Sequence, residues 1–322
     1  MSNSLPEILI TKKYPREIIE LLKPMAIVHQ WDRHPYNLMP RKEVLKKIER
    51  LTAIINQAEL RVDNHLLEKG KHLKIITNVS IGVDNLDLEL MNEKKIWGTN
   101  TPGYFDYPVA EYVIGGIITV MRKLREADTF IRSGQWNSFQ PGRWDGESLR
   151  GKTLGIIGMG NIARSVARLA RAFGMDIYCF SSANSAKRHG CVSLEKVLSM
   201  ADVISVHVPY TPATHEMFNL NLFGMMKSGV IFVNTSRGKV IKEKDLIDQL
   251  KAGHIGGAVL DVFAQEPKVP ELLKRMSNVL LTPHIAGGTK SGRLACYKMA
   301  VKDVCRVLKG EIPIHPVNNP YQ

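Results

Sequence analysis

Three polar segments stand where hydrophobic runs end: Asn234-Thr235-Ser236-Arg237-Gly238, the stretch from Asp261 to Pro267, and Thr282-Pro283-His284. Each brings one residue type that small-molecule chemistry uses: the Arg237 guanidinium, the Glu266 carboxylate and the His284 imidazole. An arginine can grip a carboxylate at two points, and a histidine beside a carboxylate can hold and release a proton near neutral pH. Taken singly, Arg237 reads equally well as a surface charge, Glu266 as a turn residue and His284 as a satisfied loop histidine. Their occurrence after successive apolar runs favours a shared catalytic site. His207 reads differently, because Val206 and Val208 enclose it in a buried-looking run, and it is given a packing role.

A second set of residues points to a phosphate-bearing ligand. Gly158-Met159-Gly160-Asn161-Ile162-Ala163 follows the apolar run Thr153 to Ile157, and Val166, Ala167, Leu169 and Ala170 continue it at helical spacing. The first glycine permits a tight turn, the second lets backbone approach a pyrophosphate, and Ala163 lets the helix pack on the strand. Gly158, Gly160, Asn161 and Ile162 are therefore expected to bind a dinucleotide. An acid that would hold the ribose 2′-hydroxyl belongs at the end of the next strand. Ser181 and Ser182 stand there instead, followed by Asn184, Ser185, Lys187 and Arg188, while Asp176 is at the wrong end. This favours NADP over NAD, with both open. Gly146 to Thr153 also matches the phosphate-loop pattern, but it runs into a strand rather than a helix, and we read it as a coincidental loop. No G-x-S-x-G elbow, H-E-x-x-H pair or calcium loop occurs, so no metal is expected.

The elements that must position these residues alternate. Short β-rich runs at Ile8 to Ile10, Ala26 to Val28, Thr52 to Ile55 and Leu73 to Val79 are interleaved with helical stretches at Ile18 to Leu22 and Val44 to Ile48. A second series places strands near Thr153 to Ile157, Ile177 to Phe180, Val203 to Val208, Val230 to Asn234, Ala258 to Val262 and Val279 to Thr282. Such alternation is the mark of parallel sheets covered by helices, here two α/β units. Tyr107 to Arg122 reads as a long apolar helix that could link them, and Leu294 to Leu308 as a final amphipathic helix returning to the first unit.

Composition sets the limits. A chain of 322 residues with 44% hydrophobic and 23% charged residues suits about two globular domains and excludes a disordered chain. The longest nearly apolar run, Val113 to Met121, is too short to span a membrane, and Met1 to Pro6 lacks a secretion signal, so a cytoplasmic protein with no membrane partner is expected. The net charge of +13 is spread along the chain, which argues against nucleic acid and leaves a general attraction for small anions. Cys179, Cys191, Cys296 and Cys305 show no metal-ligand spacing and are read as packing residues.

The ordered motifs resemble the D-isomer-specific 2-hydroxyacid dehydrogenase family over essentially the whole chain. The resemblance is carried by Ser80-Ile81-Gly82-Val83-Asp84-Asn85, Asn100 to Gly103, Val109 to Tyr112, Gly151 to Gly158, His207-Val208-Pro209, Asn234 to Gly238, Leu260 to Pro267 and Thr282 to His284. It implies two doubly wound parallel-sheet domains. A flavodoxin-like substrate domain would comprise 1–102 and 285–322, with a Rossmann dinucleotide-binding domain at 103–284 and a cleft between them. It further implies that Arg237 binds the substrate carboxylate, that His284 is the acid/base with Glu266 as partner, and that Ser80, Ile81 and Gly82 complete the carboxylate site. Val208, Pro209, Thr235, Ser236, Asp261 and His284 would line the nicotinamide, Asp261 orienting its carboxamide. Ser181 and Ser182 would face the ribose.

The chain departs from the family in that missing acid and at Lys239, where a small residue usually follows Arg-Gly. A 2-oxo acid reductase of glyoxylate, hydroxypyruvate or 2-ketogluconate type is expected. Phosphoglycerate, formate or phosphite dehydrogenases of the same family, or a non-catalytic dinucleotide-sensing scaffold, stand as alternatives. The family also implies a homodimer, for which Tyr107 to Arg122 is the expected interface helix. Trp136, Trp144 and Tyr104 are candidates to shape the substrate pocket.

Overall fold

The computed structural model describes residues 5–34, 36–182 and 190–322. They form two compact units, Met1–Tyr104 with Thr289–Gln322 and Phe105–Gly288. In chain order the first unit runs β1 (Glu7–Ile10), α1 (Arg16–Glu20), β2 (Ile27–Gln30), α2 (Arg41–Leu45), β3 (Leu51–Asn56), α3 (Asn64–Lys69), β4 (Ile75–Asn78), α4 (Leu88–Glu93) and β5 (Trp97–Thr99). The second begins with α5 (Asp106–Met121), α6 (Leu124–Arg132), β6 (Thr153–Ile157), α7 (Asn161–Ala172), β7 (Asp176–Phe180), α8 (Leu194–Met200) and β8 (Val203–Val206). It continues with α9 (Leu220–Gly224), β9 (Val230–Asn234), α10 (Glu243–Lys251), β10 (Ile255–Leu260), α11 (Glu271–Arg275) and β11 (Val279–Leu281). The chain then returns to the first unit as α12 (Lys290–Leu308).

Both sheets are parallel. The first has the order β2-β1-β3-β4-β5 and the second β11-β10-β9-β8-β6-β7, so each is doubly wound. The strands are short Val/Ile/Leu runs because a parallel sheet is covered on both faces, and β9 is buried at every residue. On one face of the second sheet Phe218, Phe223 and Phe232 pack ring against ring at 5.2–6.3 Å. On the other lie α5 and α7, whose Val113, Ile117, Val166 and Ala170 are buried.

Several expectations are corrected here. α5 is a core helix of the second unit rather than a linker: its Val109, Ala110, Ile114 and Ile117 are buried, and a Cβ on Gly116 would meet Val259 Cγ1 at 2.7 Å. β8 stops at Val206, before Pro209 removes a ladder donor. β10 starts earlier than expected, because Gly257 admits Val120 and the Asn278 carbonyl where a Cβ would approach to 2.6 and 2.8 Å. Cys179 and Cys191 form a disulfide, so only Cys296 and Cys305 are unpaired. The Val192 amide donates to the Cys179 carbonyl at 2.8 Å, which brings the two cysteines side by side, a pairing that their spacing does not announce. Among the described residues no helix is long and apolar enough to cross a membrane.

Candidate active site

The loops after β9, β10 and β11 leave one edge of the second sheet, the C-terminal edge where doubly wound folds bind ligands. Asn234 is fully buried at the end of β9, and its Oδ1 accepts from the Ser236 amide at 2.9 Å and hydroxyl at 2.8 Å. Its Nδ2 donates to the Arg237 carbonyl at 3.0 Å, so one asparagine turns the chain and sets Arg237. The Arg237 Nη1 donates to the Ser236 carbonyl at 2.8 Å. Gly238 then lies against backbone: a Cβ there would sit 1.9 Å from the Phe263 carbonyl carbon. Only glycine permits this approach, and it draws Arg237 to the loop that carries Glu266.

That loop is held from both ends. The Phe263 amide donates to Glu266 Oε1 at 3.0 Å and the Ala264 amide to Glu243 Oε1 at 2.8 Å. The other Glu266 oxygen meets His284 Nδ1 at 2.9 Å. The hydrogen bond from Glu266 raises the His284 pKa above its ordinary value against the opposing effect of burial, and the charges of Glu266 and Asp261 add to it. Burial pushes Glu266 up, but the His284 hydrogen bond and charge overcome this and hold it below the usual carboxylate value. The imidazole side chain is 53% exposed, so with Nδ1 engaged, Nε2 is the nitrogen able to exchange a proton with a ligand. His207, by contrast, is pushed down to about 4 by burial and meets Ser205 Oγ at 2.9 Å, a neutral interior histidine.

Asp261 fixes the His284 loop. It is fully buried; its Oδ1 accepts from Thr282 Oγ1 at 2.5 Å and the Ile285 amide at 2.7 Å, and its Oδ2 from the Ala286 amide at 2.8 Å. The Asp261 carbonyl accepts from the His284 amide at 2.9 Å, and His284 itself has φ 56°. Burial raises the Asp261 pKa, while these donors favour its charged form. The Tyr112 hydroxyl of α5 bonds Thr282 Oγ1, and burial pushes this tyrosine up to about 12, so it stays protonated. The motif Val109 to Tyr112 is a sequence signal for this role, but the contact itself follows only from the packing of α5.

The glycine-rich turn stands at the same edge. Gly158 has φ 95°, and a Cβ on it would lie 2.8 Å from the His207 carbonyl, so glycine is required. Gly160 caps α7, nothing lies within 4 Å of a Cβ built on it, and Ala163 is fully buried. Sequence reading passed over Arg164, which folds from the first turn of α7 back to the Asn161 side chain and to the Met159 carbonyl at 3.5 Å. Thr235 Oγ1 is buried at the end of β9 with no hydrogen-bond partner among the described residues. The open turn, the exposed helix N-terminus and this orphan hydroxyl suit a dinucleotide. Val208 and Pro209 follow β8, and Ser181 and Ser182 follow β7. Asn184, Ser185, Lys187 and Arg188 lie outside the described residues.

In the first unit, Ser80, Ile81 and Gly82 form a loop after β4. Ser80 Oγ and Asn78 Nδ2 donate to the Gly82 carbonyl at 2.8 and 3.1 Å, and Asn100 Nδ2 donates to the Ile81 carbonyl at 2.7 Å. With these carbonyls drawn inward, the Ile81 and Gly82 amides have no acceptor among the described residues, a backbone arrangement suited to an anion. Trp144 is displaced from the expected pocket: it lines a cavity with Lys152, Asp202, Gly229 and Ser277, each just ahead of a strand and so at the opposite edge of the second sheet. Trp136 is 57% exposed beyond α6, and Tyr104 is half exposed in the first unit. Among the described residues no cluster could hold a metal ion.

The chain is similar to known proteins over nearly its full length. Residues 114–286 match the model of the D-isomer specific 2-hydroxyacid dehydrogenase NAD binding domain. A glyoxylate reductase of Thermococcus litoralis is 36% identical, covering 97% of each chain. The structure of an NADPH-dependent glyoxylate/hydroxypyruvate reductase from Sinorhizobium meliloti, in complex with NADP and malonate, superposes with TM-score 0.85 at 28% identity, covering 98% of this chain and 97% of that one. A D-lactate dehydrogenase from Aquifex aeolicus, complexed with NAD and lactic acid, gives TM-score 0.83 at 29% identity over 98% of this chain and 99% of that one.

Asparagine at position 261 offers one acceptor oxygen where three donors converge. Asp261→Asn should cost about 1–3 kcal/mol for each donor left unpaired, read as a lower urea midpoint. An unchanged midpoint would show that the loop is held by other contacts.

Proposed function

The chain belongs to the D-isomer specific 2-hydroxyacid dehydrogenase family and is an NAD(P)-dependent oxidoreductase, and we propose that it reduces small 2-oxo acids, of glyoxylate or hydroxypyruvate type, with Arg237, Glu266 and His284 as its catalytic residues. The observation that carries this reading is the 2.9 Å Glu266–His284 pair, within the electrostatic reach of Arg237. A bound reduced nicotinamide supplies the hydride. Arg237 holds the substrate carboxylate and so orients the neighbouring carbonyl, which turns the reaction into an aligned step within one complex. Protonated His284 gives its Nε2 proton to the oxygen as negative charge develops there, and Glu266 stabilises the imidazolium beforehand. In the oxidative direction neutral His284 takes the proton back.

Gly158, Gly160, Asn161 and Ile162 would receive the pyrophosphate, with Arg164 as an added positive charge. Thr235, Ser236, Val208 and Pro209 would border the nicotinamide. Asp261 acts in this reading as a positioning residue, since its oxygens are engaged with the His284 loop. Ser181 and Ser182, with no acid at the end of β7, support NADP over NAD. The cytoplasm is its proposed location, and a 2-oxo acid its small-molecule partner.

The direct test is oxidation of NADPH and NADH by the purified chain with glyoxylate, hydroxypyruvate, pyruvate, phosphohydroxypyruvate and 2-ketogluconate. Turnover with NADPH on glyoxylate or hydroxypyruvate is expected, His284→Asn should lower kcat by about 10²–10⁴, and Arg237→Gln should act mainly on KM. Dinucleotide binding without turnover on any of the five would favour the scaffold reading. We also assign self-association to a homodimer. The apolar face of α5 is spent inside the unit, so the interface is better supported beyond it, where Ile131, Trp136 and Phe139 are exposed. Light scattering should give twice the chain mass, falling toward the monomer with Trp136→Glu and Phe139→Glu; a monomeric parent chain contradicts this.

A further inference from the structure

The first unit carries a cavity of about 420 Å³ whose walls include Lys12, Lys13, Lys290 and Arg293, with Tyr14 and Tyr297 beside them. It opens where β1 ends. In the order β2-β1-β3-β4-β5 the chain leaves β1 for β2 on one side and crosses back from β2 to β3 on the other, so this end of β1 lies at the topological switch point of the sheet. Tyr14 and Tyr297 are buried and stack at 3.9 Å, which makes the aromatic wall rigid.

The charged residues of its lining are of one sign. Among the described residues no carboxylate forms an ion pair with any of the four cations. Glu59, whose charge acts on Tyr14, accepts from the Gln57 amide at 2.6 Å and is committed to its own turn. Lys290 and Arg293 occupy the first turns of α12, the positive end of a 19-residue helix with no acid in its first turn. Burial and the nearby Arg293 both push the Lys12 pKa down. Like charges gathered at the wrong end of a helix dipole are unfavourable unless an anion joins them.

We propose that this pocket binds a small phosphate monoester, its phosphate among Lys12, Lys13, Lys290 and Arg293 and its organic body along the tyrosine wall. Lysines supply point charges suited to phosphate, and Arg293, whose charge acts on the Tyr297 hydroxyl, adds a planar fork. The inference is independent of the reductase reading, because it uses none of the residues assigned to that reaction.

Calorimetric titration of the full chain with phenyl phosphate tests it, with NADP saturating so that the dinucleotide site is filled. One saturable event is expected, tighter than for inorganic phosphate and retained in Arg237→Ala. It should weaken by at least about tenfold in Lys12→Gln/Arg293→Gln, and equally in Lys13→Glu/Lys290→Glu, which changes only two exposed lysines and leaves the buried wall intact. Thermal melting followed by circular dichroism verifies that each variant is folded. Absence of saturable binding, binding unchanged in the folded Lys13→Glu/Lys290→Glu variant, or binding lost in Arg237→Ala would each overturn the proposal.

Discussion

A half-exposed imidazole keeps its proton to higher pH when a carboxylate is fixed against it, and the hydrogen bond between Glu266 and His284 is that fixture. Neither partner could hold the other if its own backbone were loose. Glu266 is tied through its second oxygen to the Phe263 amide, and His284 is tied through its amide and its neighbours to Asp261. Folding therefore has to bury one aspartate completely in order to expose one histidine usefully. The histidine's raised pKa gives the pair a definite pH sense. Its contribution to stability is present below the ordinary histidine value and is lost as pH rises through the raised one.

The same edge of the second sheet is shaped by two close backbone approaches. Gly238 brings the chain after β9 onto the Phe263 carbonyl, and Gly158 brings the turn after β6 onto the His207 carbonyl. In each case a side chain is sacrificed so that two loops can meet, once beside the loop that carries Glu266 and once at the glycine-rich turn. α5 supports both from behind. Its Gly116 admits Val259 of β10 while its Tyr112 reaches Thr282, so the helix that holds the sheet also terminates the hydrogen-bond chain through Asp261.

Much of this was legible in the sequence because strand ends in a parallel sheet are local signals. Apolar runs of four to six residues that stop at Asn234, Asp261 and Thr282 mark the loops, and the glycine spacing at 158 and 160 marks the helix N-terminus. What was not legible depends on packing between distant segments. Nothing in its spacing tells that Asp261 spends its oxygens on Thr282, Ile285 and Ala286, that Arg164 turns back to the glycine loop, or that Cys191 returns beside Cys179. Tyr107 to Arg122 was readable as an apolar helix but not as one buried inside a unit, since periodicity alone does not say which body covers it. Trp144 shows the same limit, lying at the far edge of the sheet from the site its residue type suggested.

Glu266 is the first influence on the charge of His284. The pH dependence of kcat/KM for glyoxylate reduction, compared between the parent chain and Glu266→Gln, examines that dependence directly. Reduction is expected to fall as pH rises through the raised histidine pKa, the fall moving to lower pH in Glu266→Gln, with the oxidative profile running the opposite way. A profile whose midpoint is the same in both proteins would contradict it.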